Sequence, residues 1–450
     1  MFRKILIANR GEIAVRIIRT CKEMGIRTVA IYSEIDKDSV HVHMADEAIC
    51  IGPAPSKKSY LNIDNIISAA LVTKSEAIHP GYGFLSENPD LVDACEANGI
   101  KFIGPRKEHI EKMGNKSQAR KTMIDAGVPV VPGSESATND PLEALFIAKE
   151  IGFPVMVKAA SGGGGRGMRL VQNEDVFVDK FNMAKSEALA AFNDDAMYVE
   201  KFIEEPRHIE FQILGDSYGN VVHLGERDCS LQRRNQKVLE EAPCVVMDYD
   251  LRNKMGEAAI KAAKAVNYEN AGTIEFLLDK YNNFYFLEMN TRIQVEHPVT
   301  ELITGVDLIK EQIKIGYGER LDITQDQINI NGHAIECRIN AEDPKANFRP
   351  SPGQIEGFFP PGGYCVRLDS HVYSGYPIPP TYDSMIGKLI VWGKDRDEAI
   401  SRMRRALDEM TITGIETNIE FQKKIINNKR FIANKIDTSF IEREIFNDES

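Results

Sequence analysis

The chain has 450 residues, 43% hydrophobic and 27% charged, ordinary usage for a folded protein but too long for one compact core, so two to four domains are expected. A net charge of −12 disfavours a nucleic-acid surface, and no apolar run approaches the ~18 residues that span a bilayer. Seven scattered cysteines without a Cys-x-x-Cys pair argue against a disulfide framework or structural zinc, and the short apolar start reads as a buried strand, so a cytoplasmic protein is expected.

Residues 1–105 alternate short apolar runs (Lys4–Ala8, Arg27–Tyr32, Ala48–Ile51, Glu76–Ile78, Lys101–Ile103) with helical patterns (Ile13–Met24, Ile63–Leu71, Leu91–Asn98). That rhythm predicts a mostly parallel sheet with helices on its faces. The pattern turns helical over 106–133. Strands are then expected at Pro154–Lys158, Met168–Val171 and Met197–Glu200, with a long helix over Glu174–Ala191. The region 206–330 reads as antiparallel strands with helices near 249–265 and 300–315. Beyond Asn331 come strands at Ala334–Ile339, Gly353–Phe359 and Cys365–Leu368, and helices near 396–410 and 418–428. The expected segments are 1–110, 111–133, 134–203, 204–330 and 331–450.

Six of the seven residues in Ser161–Gly167 are Ser or Gly, between two apolar strands. Glycine lets backbone N–H groups approach an anion closely, so the loop reads as a phosphate-covering flap; a flexible hairpin tip is the bland alternative. It matches neither the dinucleotide fingerprint nor the P-loop. Lys158 ends the preceding strand beside apolar Val155–Val157, where it can reach the same phosphates; Lys116 lies one helical unit earlier, and a lone lysine is usually a solvated surface charge. Glu200, Lys201 and Ile203 end another strand, whose backbone groups could meet an adenine edge, though the segment alone proves nothing.

The stretch Phe284–Pro298 is the most informative. Side chains alternate faces along a strand, and Glu288, Asn290, Arg292, Gln294 and Glu296 share one parity, opposite Leu287, Met289, Ile293 and Val295. An amphipathic strand with a solvated side is the bland alternative, but Tyr285–Met289 looks buried. Eight extended residues span roughly 26 Å, so Glu288 and Glu296 serve one site only if the strand ends soon after Asn290 and Arg292–Glu296 curls back. Glu275, on a preceding strand, adds a second carboxylate; with Asn290 the oxygen set suits Mg²⁺ rather than zinc.

Gln232–Lys237 is a basic island in an acidic chain, either a solvated loop or, if Lys237 meets Arg292, a grip on a small planar anion with Glu296 as general base. Arg338 on its own reads as structural. The loop His79–Pro89 is either a turn near a ligand or a rigid structural loop. His208 alternates with Ile209 and is either a ligand contact or a surface histidine.

Taken together these residues resemble the ATP-grasp biotin carboxylases, across essentially the whole chain. The motifs carrying the resemblance are Ile7–Ala14, His79–Pro89, Ser161–Met168, Pro206–Glu210, Glu288–Thr300 and Tyr382–Lys388, in the family's order. The resemblance implies an α/β and α+β multidomain fold: an N-terminal doubly wound parallel sheet, a central ATP-grasp fold with a glycine-loop lid, and a C-terminal mixed α+β domain. It implies ATP as substrate, contacted by Lys116, Lys158, Gly163, Gly164, Gly165, Glu200, Lys201, Ile203, His208, Gln232 and Leu277. It implies two Mg²⁺ or Mn²⁺ ions on Glu275, Glu288 and Asn290, and bicarbonate on Lys237, Arg292, Gln294 and Val295 with Glu296 as base. Arg338 would stabilise the biotin enolate and Tyr82 would contact biotin. Asn235 stands where a histidine is expected, so no imidazole role is carried over there.

No Met-Lys-Met tripeptide marks a biotinylated lysine, so biotin is expected on a separate biotin carboxyl carrier protein, with carboxyltransferase subunits in the same complex, most plausibly a bacterial acetyl-CoA carboxylase. A homodimer is carried over from similar enzymes, with neither nucleic acid nor membrane as partner. The competing expectations are a propionyl-CoA or pyruvate carboxylase component, an ATP-grasp carboxylate–amine ligase, and a nucleotide-sensing module without turnover.

Overall fold

Apolar runs with little polar alternation form strands buried on both faces, and here they build a parallel sheet. Lys4–Ile7 pairs in parallel with Arg27–Tyr32 and with Ala77–His79; Glu47–Cys50 and Lys101–Phe102 flank these. The spatial order is 47–50, 27–32, 4–7, 77–79, 101–102, so the expected doubly wound sheet is present. Strand order reverses between 4–7 and 77–79, which opens a crevice at their carboxyl ends. Asn9 and the loop around Tyr82 leave the sheet there.

In the computed structural model, residues 1–160, 167–192 and 194–446 are described. The glycines expected to cover phosphates, Gly163, Gly164 and Gly165, lie outside the described residues. The chain groups into a larger unit (Met1–Val128, Arg207–Phe276, Glu288–Ser450) and a smaller one (Pro129–Pro206, Leu277–Leu287).

The larger unit also carries most of an eight-stranded sheet. Its order is Phe284–Asn290, Asn270–Leu278, Arg207–Gly215, Val221–Arg233, Gln236–Ala242, His333–Asn340, Met385–Gly393, Val366–Ser370. Helices Arg396–Glu409 and Ile419–Asn427 cover one part of it through Ile400, Met403, Leu407, Phe421 and Ile425, all buried. In the smaller unit, Val155–Ala159 pairs antiparallel with Met168–Val171 and with Met197–Lys201. Phe177, Phe181, Ala144 and Ala148 from its helices fill the core against Val157 and Val199.

Several expectations need correction. The single helix near 300–315 is two, His297–Thr304 and Leu308–Tyr317. Gly305 ends the first at φ +74, and the Asp307 side chain caps the second by accepting from the Lys310 amide. The strand expected over Gly353–Phe359 is two short pieces, Gly353–Gln354 and Gly357–Phe359, with different partners. Met385–Gly393 is a nine-residue strand where no element was expected.

Candidate active site

Two neighbouring strands supply the first carboxylates. Along Arg207–Gly215, His208, Glu210 and Gln212 share a face, and Glu275 rises from the adjacent Asn270–Leu278. Ile209, Phe211 and Ile213, on the other face, are buried as well. His208 is therefore no surface histidine. Its Nδ1 lies 3.0 Å from Gln232 Nε2, and its Nε2 lies 3.0 Å from Glu275 Oε2.

Lys237 enters from Gln236–Ala242 and joins this carboxylate floor to the curled segment. Its Nζ donates to Glu210 Oε2 at 2.5 Å, Glu296 Oε1 at 2.7 Å and Glu275 Oε1 at 3.0 Å. Burial works against the ammonium, yet Glu210, Glu296 and Glu275 together hold its pKa well above the usual lysine range. Arg227 anchors Glu210 from behind. Fully buried, it donates to Glu210 Oε1 at 2.5 Å, to Gln212 Oε1 and Thr300 Oγ1 at 2.9 Å, and to Thr273 Oγ1 at 3.2 Å.

The strand Phe284–Asn290 ends at Asn290, and the chain turns before helix His297–Thr304 begins. That turn brings Glu296 back to Lys237. Glu296 is fully buried and also accepts from Arg338 Nη2 at 3.0 Å. Burial pushes its carboxyl up, but Lys237, Arg338 and Arg227 reverse the sign and hold it well below the ordinary carboxylate range. It is an ionised acceptor between two cations. Arg338 also holds Glu240 through its Nε at 2.6 Å, so it bridges two buried carboxylates. There burial outweighs the guanidinium, and the Glu240 carboxyl is pushed up to about 7.

Arg292 reaches the same group through Asn290. Its Nη2 donates to Asn290 Oδ1 at 3.2 Å, and Asn290 Nδ2 donates to Glu275 Oε1 at 2.9 Å. Glu87 accepts from Arg292 Nε at 2.8 Å and from the Thr291 amide at 3.0 Å, which fixes the turn. Gln294 accepts from Arg292 Nη1 at 2.8 Å, while its buried Nε2 has no partner among the described residues. A buried donor without an acceptor, flanked by a guanidinium, suits an anion's oxygen.

Glu288 lies near Glu275 but is not in the tightest donor groups, which are His208/Glu210/Glu275 and Glu210/Cys229/Glu296. Burial first, then the charge of Glu275, push the Glu288 carboxyl up, partly offset by Lys116. Two hard carboxylates whose charges repel fit a divalent cation such as Mg²⁺ or Mn²⁺; Asn290, whose Nδ2 faces Glu275 while its Oδ1 accepts from Arg292, would add an oxygen only by turning its amide.

The apolar face expected along this strand is only partly real: Met289 is buried, but Leu287 is 42% exposed, and Phe286, on the polar parity, is buried. Lys158 pairs with Glu200, and Lys201 Nζ caps the carbonyls of Gly152 and Phe153 at 2.8 and 3.0 Å. Ile203 is buried and Leu277 half-buried. Lys158, Glu200, Lys201, Ile203 and Leu277 all belong to the smaller unit. Tyr82 donates its hydroxyl to Glu12. Sequence reasoning gave no role to Glu87, Arg227, Glu12 or Lys388, although Glu87, Glu12 and Lys388 lie in motifs already singled out, His79–Pro89, Ile7–Ala14 and Tyr382–Lys388.

Asn235 has a structural account. Gln236 pairs with Arg233 across a two-residue turn, and both turn residues have positive φ, +51 at Arg234 and +63 at Asn235. Asparagine tolerates that backbone region better than most side chains.

Three family models match: "Biotin carboxylase, N-terminal domain" over residues 1–110, "Carbamoyl-phosphate synthase L chain, ATP binding domain" over 115–324, and "Biotin carboxylase C-terminal domain" over 336–443. A biotin carboxylase of Nostoc sp. is 63% identical over 98% of this chain and 99% of its own length. One subunit of the pyruvate carboxylase of Methanothermobacter thermautotrophicus is 57% identical over 98% of this chain and 90% of its own. Among solved structures, a biotin carboxylase–βγ-ATP complex from Campylobacter jejuni superposes with TM-score 0.91 at 53% identity, covering 99% of both chains. The biotin carboxylase domain dimer of Hydrogenobacter thermophilus 2-oxoglutarate carboxylase, in complex with MgADP, ADP and bicarbonate, gives 0.90 at 52%, covering 99% of this chain and 98% of its own.

Proposed function

The chain belongs to the biotin carboxylase family, and from that premise we propose that it uses ATP and bicarbonate to carboxylate biotin on a separate carrier protein. The observation that carries this reading is the ammonium of Lys237, which touches Glu275 at the metal-suited end and Glu296 at the other.

Bicarbonate is a poor electrophile, so its oxygen first attacks the γ-phosphorus of ATP, releasing ADP and giving carboxyphosphate. Lys237, Arg292, Gln294 and the backbone of Val295 hold the anion, and ionised Glu296 accepts its proton. Divalent cations on Glu275, Glu288 and Asn290 would supply charge neutralisation at the transferred phosphoryl group. Carboxyphosphate then yields CO₂ and phosphate; phosphate takes the ureido N–H proton, and the new N–C bond forms on biotin. Arg338 stabilises the enolate-like ureido oxygen, with Tyr82 against the biotin. Lys116, Lys158, Glu200, Lys201, Ile203, His208, Gln232 and Leu277 are nucleotide contacts on the strength of the resemblance.

We place the chain in acetyl-CoA carboxylase, as a homodimer receiving biotin from its carrier protein and passing the carboxyl group to carboxyltransferase subunits. Relatives named for pyruvate and 2-oxoglutarate carboxylases at 57% and 52% identity make the final acceptor the finer question. The test is ADP release by the purified chain: it requires bicarbonate and Mg²⁺ and rises with free biotin. ATP turnover indifferent to bicarbonate, or dependent on an added amine, overturns the reading. Malonyl-CoA formation on adding carrier and carboxyltransferase tests the placement, and sedimentation tests the dimer.

A further inference from the structure

The three motifs Ile7–Ala14, His79–Pro89 and Tyr382–Lys388 meet at the crevice where the order of the parallel sheet reverses. Asn9, just past Lys4–Ile7, donates Nδ2 to the carbonyls of Pro80 and Tyr82, each at 2.7 Å. Gly81 lies between them at φ +65, and a Cβ there would meet Asn9 Nδ2 at 3.0 Å. The Tyr82 loop is therefore pressed onto Asn9. Glu12, in the first turn of helix Gly11–Glu23, accepts the Tyr82 hydroxyl on Oε1.

Lys388 reaches that same oxygen from the far side. It is 0% exposed in the strand Met385–Gly393, with Nζ 3.2 Å from Glu12 Oε1 and 6.0 Å from the Tyr82 ring centroid. The same ammonium donates to the Val295 carbonyl at 2.6 Å. A fully buried ammonium is costly unless paired, and a methionine would fill the space without that cost. What methionine cannot do is hold a carboxylate and a loop carbonyl at once.

We propose that Glu12 and Lys388 form a buried positioning pair that ties Tyr82, on the biotin side, to Val295, on the bicarbonate side. This rests on the functional reading above for those two residues. Neither Glu12 nor Lys388 touches a substrate in this account; the pair sets the spacing between the tyrosine and the turn before Glu296. Displacing either end moves both, because one carboxylate oxygen is shared by the hydroxyl and the ammonium.

Steady-state kinetics on the full chain, with free biotin as second substrate, test the pair. Lys388→Met and Glu12→Gln are each expected to raise KM for biotin and KM for bicarbonate together, about tenfold, with KM for ATP within twofold of wild type. In a cycle with Tyr82→Phe, the double variant's KM for biotin is expected to be no worse than that of the worse single one. Lower kcat with unchanged KM values marks a merely structural role and overturns the proposal; so does a shift in only one of the two KM values, or multiplicative effects in the cycle. Lys388 also faces the charges of Glu336 and Asp369, so if Lys388→Met does not fold, Glu12→Gln, which keeps the shape but removes the charge that holds the ammonium, carries the same expectations and the same cycle. Wild-type enzyme lacking bicarbonate-dependent, biotin-stimulated ADP release refutes the functional reading itself; its presence with unmoved KM values refutes only the pair.

Discussion

Replacing Glu296 by glutamine changes almost no volume and removes one charge from a side chain held by Lys237 at 2.7 Å and Arg338 at 3.0 Å. The amide oxygen can satisfy one of those cations, but its NH₂ then faces the other, so a buried donor loses its acceptor. That costs ~1–3 kcal/mol of stability. The larger effect falls on chemistry: loss of a positioned base lowers kcat by about 10²–10⁴, equivalent to ~3–5 kcal/mol of barrier. Because Lys237 and Arg338 keep Glu296 ionised far below neutrality, lowering the pH to about 5.5 does not mimic the variant. The assay is bicarbonate-dependent ADP release, with ATP affinity measured separately by calorimetry. A kcat within tenfold of wild type, or an ATP Kd that loosens in step with kcat, refutes the assignment of Glu296 as base.

Arg227→Met leaves Glu210 and Gln212 without their buried donor, and thermal unfolding should register a loss of ~3–5 kcal/mol; a shift under ~1 kcal/mol would mean that Glu210 is served by Lys237 alone. At the Arg234–Asn235 turn, Asn235→Gly should be near neutral, while Asn235→Val should cost ~1–2 kcal/mol, read from denaturant midpoints. Glu241 is fully buried; burial pushes it up, but His333 and Arg396 prevail and lower it to about 2. A carboxyl depressed on folding stabilises above its unfolded pKa near 4.5 and loses that contribution as pH falls toward 2. The stability gap between wild type and Glu241→Gln, ~3 kcal/mol at neutral pH, should therefore shrink as the pH falls from about 4.5 to about 2. A gap independent of pH would exclude the ion pair as its source.

The parallel sheet was legible because strands covered on both faces read as unbroken apolar runs, as at Lys4–Ile7 and Arg27–Tyr32. The end of the strand at Asn290 followed from reach alone, since Glu288 and Glu296 are too far apart in extended chain to meet. Simple alternation failed at Leu287 and Phe286, where the parity of the strand does not match which side chains are covered. Met385–Gly393 escaped notice because its first residues, Met-Ile-Gly-Lys, interrupt the apolar run that Leu389–Val391 would otherwise announce. The Lys237–Glu275 contact joins residues 38 apart on strands separated by another two in the sheet, and no local pattern encodes that distance. The pairings of Arg227, Lys388 and Glu12 went unread for the same reason: a buried charge is recognised by its partner, and the partners come from other elements.

An anion arriving at Lys237 does not find a bare cation waiting for any ligand. Three carboxylates already share that ammonium, so chloride or a stray carboxylic acid gains little by competing for it. Only a guest that also brings a hydrogen for Glu296 to accept, and is small enough to reach the Gln294 amide and the Arg292 fork, recovers in several contacts what it disturbs in one. If Lys237 and Glu296 serve bicarbonate as proposed, discrimination among abundant anions would be built into the prior engagement of the lysine.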